Sequence, residues 1–88
     1  MVYIDTAEAL LEVADSGDVE TMQRLLDAGV DVNATGDDGS TALIVAARKG
    51  YAAIVRLLLE TDAEVNATDS DGSTALIVAT RAGHREVV

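Results

Sequence analysis

Apolar residues return every three or four positions through most of the chain, and the rhythm breaks wherever glycine, aspartate and asparagine cluster. In residues 6–16, Ala7, Leu10, Leu11 and Ala14 share one helical face while Glu8, Glu12 and Asp15 fall elsewhere. That spacing predicts a helix, capped at its start by Asp5 or Thr6 and stopped by Gly17. A second helix is predicted from about Asp18 to Ala28, with Val19, Met22, Leu25 and Leu26 as its stripe and Gly29 as its stop. Two helices joined by so few residues must be antiparallel neighbours. From Asp31 to Gly39 the rhythm is gone, and Asp38-Gly39 marks a tight turn of the hairpin type in a short extended finger. Thr41 is placed to cap a third helix from about Ala42 to Lys49, which Gly50 stops. Its partner runs from Tyr51 to about Thr61. Ile54, Val55, Leu57, Leu58 and Leu59 there cover more than one face, which predicts neighbours on both sides.

The pattern then repeats in letters as well as in rhythm. Asp38-Gly39-Ser40-Thr41-Ala42-Leu43-Ile44-Val45-Ala46 returns unchanged as Asp71-Gly72-Ser73-Thr74-Ala75-Leu76-Ile77-Val78-Ala79, an offset of 33. Val65-Asn66-Ala67-Thr68 matches Val32-Asn33-Ala34-Thr35, Arg81 falls on Arg48, and Gly83 on Gly50 and Gly17. Such a period is the mark of an array in which each unit stacks on the next. His84-Arg85-Glu86-Val87-Val88 begins another helix that stops about two turns early by the period. An array needs a polar outer face on its terminal unit. None is evident there, so Val87, Val88, Leu76, Ile77 and the Leu57–Leu59 helix are expected to leave an apolar strip uncovered.

These residues carry a resemblance to the ankyrin repeat family. The match is Gly39-x-Thr41-Ala42-Leu43-Ile44-Val45-Ala46-Ala47, then Gly50, then Ile54-Val55-Arg56-Leu57-Leu58-Leu59, then Ala63-Glu64-Val65-Asn66-Ala67. Gly83-His84-x-Glu86-Val87-Val88 is similar to the family's Gly-His-x-Glu-Ile-Val, and the first unit resembles an N-terminal capping repeat through Leu10-Leu11-Glu12-Val13-Ala14, Gly17, Leu25-Leu26 and Gly29-Val30-Asp31-Val32-Asn33-Ala34. The resemblance implies an all-α solenoid of stacked antiparallel helix pairs joined by β-hairpin-like fingers. It divides one domain, 1–88, into repeats of about 5–34 and 35–67 and an incomplete 68–88. The chain departs from the family in having Ala42 and Ala75 where proline is usual, which removes a pre-organised helix start. Ile44 and Ile77 stand where the family has a polar histidine, exchanging a polar link for apolar burial worth about 1.5–3 kcal/mol when complete.

Composition narrows the chemistry. The 88 residues make at most one small domain, and their apolar half is mostly Ala, Val and Leu, with Tyr3 and Tyr51 the only aromatics. No run is long enough to span a bilayer, the start resembles no signal peptide, and cysteine is absent. A cytoplasmic or other intracellular setting is the expectation, with no membrane partner. Net charge is −10 and uneven: residues 1–38 hold ten acids against Arg24 alone, whereas residues 39–88 hold six acids against five bases. Such a field repels phosphate, so no nucleic acid is expected as a partner.

Candidate chemical sites fail one by one. Asp69-Ser70-Asp71-Gly72 suggests part of a calcium loop, but that register puts Ala67 and Val78 at obligatory ligand positions. Asn33-Ala34-Thr35 and Asn66-Ala67-Thr68 have the form of glycosylation acceptors and are read as asparagines that bond local backbone. His84 is the only histidine, and no phosphate-cradling glycine loop occurs. Neither enzyme, cofactor nor metal site is expected. The resemblance instead implies a protein–protein interaction module that grips a protein partner with its finger tips and concave helix face. Carried over, those positions are Asp15, Ser16, Asp37, Asp38, Ser40, Arg48, Lys49, Ser70, Asp71, Ser73, Arg81 and Ala82. The alternative is a self-associating fragment, a homo-oligomer formed through the uncovered strip.

Overall fold

A computed structural model describes residues 7–85. The predicted cap at Asp5 or Thr6 and the helical start at Glu86, Val87 and Val88 lie outside the described residues. Five helices form: α1 (Ala7–Ser16), α2 (Val19–Asp27), α3 (Ala42–Lys49), α4 (Ala52–Glu60) and α5 (Ala75–Ala82). The expected second and fourth helices are each a residue longer at both ends than α2 and α4, because Asp18, Ala28, Tyr51 and Thr61 are caps. The Asp18 carboxylate accepts the Thr21 N–H at 3.2 Å and its hydroxyl at 2.6 Å, satisfying a first-turn donor. Thr41 and Thr74 cap α3 and α5 through bonds of 3.3 Å from Ile44 and Ile77 N–H.

The helices form two rows. α3 lies between α1 and α5, while α2 packs on α1 and α4 on α3, with α2 and α4 in contact. Alanines make this close approach possible: Ala42, Ala46, Ala47 and Ala79 are buried between the rows alongside Leu10, Val13, Met22, Leu25, Ile44, Ile54 and Leu58. Burying each larger aliphatic side chain stabilises by about 1.5–3 kcal/mol, and they form one continuous core.

The fingers are built on turns, without regular strands among the described residues. Gly36 N–H donates to Ser40 C=O and Gly39 N–H to Gly36 C=O, each at 3.0 Å, and among the described residues the one β-pairing is an isolated antiparallel bridge between Thr35 and Thr41. Among the described residues no strand forms, since the chain leaves the turn directly into the capped start of α3. The third unit repeats the turn, with Asp69 N–H on Ser73 C=O and Gly72 N–H on Asp69 C=O, both at 3.0 Å.

The apolar strip expected at Leu76, Ile77 and the Leu57–Leu59 helix is open, with Leu59, Leu76 and Ile77 exposed, while Val87 and Val88 lie outside the described residues. α4 buries Ile54, Val55 and Leu58 against α2 and α3, but Leu59 is exposed, and among the described residues no helix stands on its far side. Ile44 is 1% exposed, as apolar replacement of a polar residue requires, whereas Ile77 is 39% exposed. The cause is common to both: α5 covers α3, and no described helix covers the far side of α5 and α4. Among the described residues, no helix is long and apolar enough to cross a membrane.

Candidate functional site

Two exposed tips, Asp37-Asp38 and Ser70-Asp71, stand beside each other because Ser70 N–H donates to Asp38 C=O at 2.9 Å. Within the first tip, the Asp38 carboxylate accepts the Ser40 N–H at 3.1 Å. That bond favours the charged form and holds the Asp38 carboxyl below its ordinary value. The second tip is built differently. Asp69 Oδ1 accepts from both Asp71 N–H (2.9 Å) and Ser73 N–H (3.0 Å), while Asp69 Oδ2 faces the Arg48 guanidinium at 3.6 Å.

The basic row comes from the C-terminal turns of α3 and α5, where cations also suit the helix dipole. Arg48 donates to Ser40 Oγ at 3.4 Å, and Arg81 donates to Ser73 Oγ at 3.2 Å. Each serine lies eight residues upstream, at the base of a finger, so finger and helix end are tied in both units. Lys49 pairs with Asp15 at 3.4 Å across the α1–α3 junction, with both side chains well exposed. Such a pair contributes at most about 1 kcal/mol. Arg48, Asp69, Asp71, Val78, Arg81 and Ala82 line an open hollow of about 300 Å³.

Of the sequence-predicted positions, Asp15, Ser16, Asp37, Asp38, Arg48, Lys49, Ser70, Asp71, Arg81 and Ala82 are exposed. Ser16 donates its hydroxyl to Val13 C=O at 3.1 Å, which leaves its oxygen lone pairs at the end of α1. Ser40 and Ser73 are corrections: they are 1% and 2% exposed, and their hydroxyls hold arginines from inside. Asp69 is the residue the sequence reading missed as an organiser. It was visible as a break in the repeat, since Gly36 stands 33 residues earlier at the same position.

Rings supply a second tie between units. The Tyr51 ring lies against Gly17, so a Cβ there would meet it at 3.0 Å, and the His84 ring lies against Gly50 at 2.5 Å from a Cβ. His84 Nε2 is also 3.0 Å from the Arg48 carbonyl oxygen. His84 is therefore held in the packing between two units. Among the described residues no group of three potential metal ligands forms.

Residues 10–88 match the family of ankyrin repeats in three copies. No curated protein matched the chain.

Proposed function

The chain belongs to the ankyrin repeat family, whose repeats generally mediate protein–protein interaction, and on that premise we propose that it is a non-catalytic module that binds a protein partner along its fingers and concave helix ends. The observation that carries this reading is the row of two guanidiniums, Arg48 and Arg81, each fixed by a buried serine beside exposed acidic tips. Fixed charges lose little freedom on binding, which is what makes them selective. Asp37, Asp38, Ser70 and Asp71 would meet basic groups of the partner, and Lys49, Arg81 and the hollow beside Ala82 its acidic or small ones. Asp15 and Ser16 extend the face toward α1, while Ser40 and Ser73 position the arginines without touching the partner. The test is capture of a partner by the chain and by the Asp37→Lys, Asp38→Lys, Arg81→Glu triple variant. As a control, Glu20→Gln with Asp27→Asn makes the same change in net charge on α2, away from the tips. Loss with the first set and retention with the second is expected; equal capture by both rejects the face.

A second reading has its own observation. Leu59, Val65, Leu76 and Ile77 are 42%, 51%, 55% and 39% exposed, and a hollow of about 150 Å³ lined by Leu43, Val55, Leu59, Val65, Ala75 and Leu76 opens between α4 and α5. Two copies meeting by this strip would cover it. Light scattering across concentration tests that reading, and a constant monomer mass rejects it.

A further inference from the structure

Aspartate followed by glycine is the pair at which a peptide chain most readily rearranges itself, because no glycine side chain obstructs the attacking nitrogen. The glycine backbone nitrogen attacks Cγ of the aspartic acid, the carboxyl loses one oxygen as water, and a cyclic imide closes. Water then opens the imide at either carbonyl. Opening at Cγ restores aspartate; opening at the main-chain carbonyl leaves the chain running through Cβ and Cγ, as isoaspartate. The sequence holds this pair twice, at Asp38-Gly39 and Asp71-Gly72, each followed by Ser-Thr. Both aspartates are exposed. Both turns are closed by the same backbone bond, Gly39 N–H on Gly36 C=O and Gly72 N–H on Asp69 C=O, each at 3.0 Å. Both glycines are left-handed, with φ of 78° and 77°. Water and the attacking nitrogen are thus placed alike in the two tips.

The side chains are not. The Asp38 carboxylate accepts the Ser40 N–H at 3.1 Å, which fixes its torsion and favours its charged form. The Asp38 carbonyl also accepts Ser70 N–H at 2.9 Å, so the Asp38–Gly39 peptide plane is pinned at its C=O as well as its N–H. Imide closure proceeds through the neutral acid and needs a free side-chain torsion and a peptide plane that can turn. Asp38 is hindered in all three. In the second tip the equivalent donor is taken. Asp69 Oδ1 holds Ser73 N–H at 3.0 Å and Asp71 N–H at 2.9 Å, and no described residue holds the Asp71 carboxylate. One letter of the repeat is the cause: Asp69 stands where Gly36 stands 33 residues earlier, and Gly36 has no carboxylate to offer. The difference is built into the turn itself, whatever lies beside it.

We infer that Asp71 is a site of covalent self-modification, isomerising to isoaspartate through attack by the Gly72 nitrogen, while Asp38 is protected by its own turn. The product lengthens the main chain by a methylene between the two residues and leaves the charge on a carboxylate at Cα. The turn bond from Asp69 N–H to Ser73 C=O spans that link, and the Ser73 hydroxyl that holds Arg81 lies beside it. The modification therefore reaches the tip and the guanidinium together. It does not depend on the partner-binding reading; only its effect on a partner does.

The test follows both pairs in one molecule. The full chain is aged at neutral pH in water enriched in heavy oxygen, so that each imide opening leaves a heavy atom behind. Trypsin separates the pairs into residues 25–48 and 57–81, and electron-transfer fragmentation locates the isoaspartate. Isoaspartate at position 71 should form about tenfold faster than at position 38, the factor carried by one hydrogen bond to a charged group. In strong urea, where no turn survives, the two rates should converge. Asp69→Gly copies the first tip, returns the Ser73 N–H to Asp71, and should slow position 71 toward the rate of position 38. Equal rates in the folded chain overturn the inference, as does a faster position 38. So does a rate difference that persists in urea, or an Asp69→Gly chain that isomerises position 71 at the parent rate. The comparison of folded chain with urea needs no substitution, so it decides the matter even if the variant fails to fold.

Discussion

The nine residues from Asp38 to Ala46 and the nine from Asp71 to Ala79 are identical, and the two stretches fold alike and live differently. Both form a turn, a threonine cap and an eight-residue helix ended by a left-handed glycine. In the first copy Leu43 and Ile44 are 3% and 1% exposed; in the second, Leu76 and Ile77 are 55% and 39% exposed. Local structure therefore follows from the letters alone, because caps and stops act within one turn. Burial depends on what stands next in the stack, which the nine letters do not contain.

The largest test of that contrast is a pair of truncations. Leu43→Ala removes a side chain enclosed between α3, α4 and α5, and should cost about 2–5 kcal/mol of unfolding free energy. Leu76→Ala removes a side chain that is half in water, and should cost less than about 1 kcal/mol. Urea unfolding followed by circular dichroism measures both. Equal costs would mean that the strip around Leu76 is covered in solution.

A second pair separates backbone from packing. Gly50 and Gly83 share a left-handed φ, where any other L-residue costs about 1–2 kcal/mol. Gly83→Ala should cost that amount. Gly50→Ala should cost more, because its Cβ would meet the His84 ring 2.5 Å away. Adding His84→Ala should bring the two glycine substitutions level, and the double-mutant cycle reads the difference directly.

Sequence reasoning therefore reached some residues and not others for physical reasons. Thr41, Thr74 and the glycine stops were legible because a cap's partners lie three residues away. The open strip at Leu76 and Ile77 was legible from the period; Val65 was not, since its exposure is set by an element in another unit, its twin Val32 being 9% exposed and it 51%. Ser40 and Ser73 resemble exposed tip residues because serine beside Asp-Gly usually is exposed. Their burial follows from an arginine eight residues on, a spacing no local rule predicts. Asp69 was legible only as a departure from the period, and the departure explains the work: it takes over the Ser73 N–H that Asp38 would by analogy leave to Asp71.

A third pair should show no contrast at all. Thr41→Ala and Thr74→Ala each delete a cap bond of 3.3 Å, and each should cost about 1 kcal/mol. Thr41 is 2% exposed and Thr74 half-buried, so a large excess at Thr41 would mean that its methyl packs as well as caps. Equal costs would place the capping term in the repeated letters and leave all difference between the copies to the stack.

The smallest effect concerns the tips, where the two copies assign the same work to different carboxylates. Asp38 accepts the Ser40 N–H, and that bond, ahead of the weaker pull of Arg48, holds its carboxyl below the ordinary 3.8. A depressed folded-state value means that the folded chain releases this proton more readily than the unfolded one. The stabilisation is therefore complete above pH 3.8 and is lost as pH falls through the lower folded value. Asp38→Asn keeps an acceptor and removes the charge. Its melting temperature should lie slightly below that of the parent at neutral pH and converge with it in acid. Asp71→Asn at neutral pH should change stability less than Asp38→Asn, because Ser73 N–H is bonded to Asp69 in its place. Should Asp71→Asn prove the more damaging, the identical tips would be working through identical residues after all, and Asp69 would be tied to Arg48 without organising the turn.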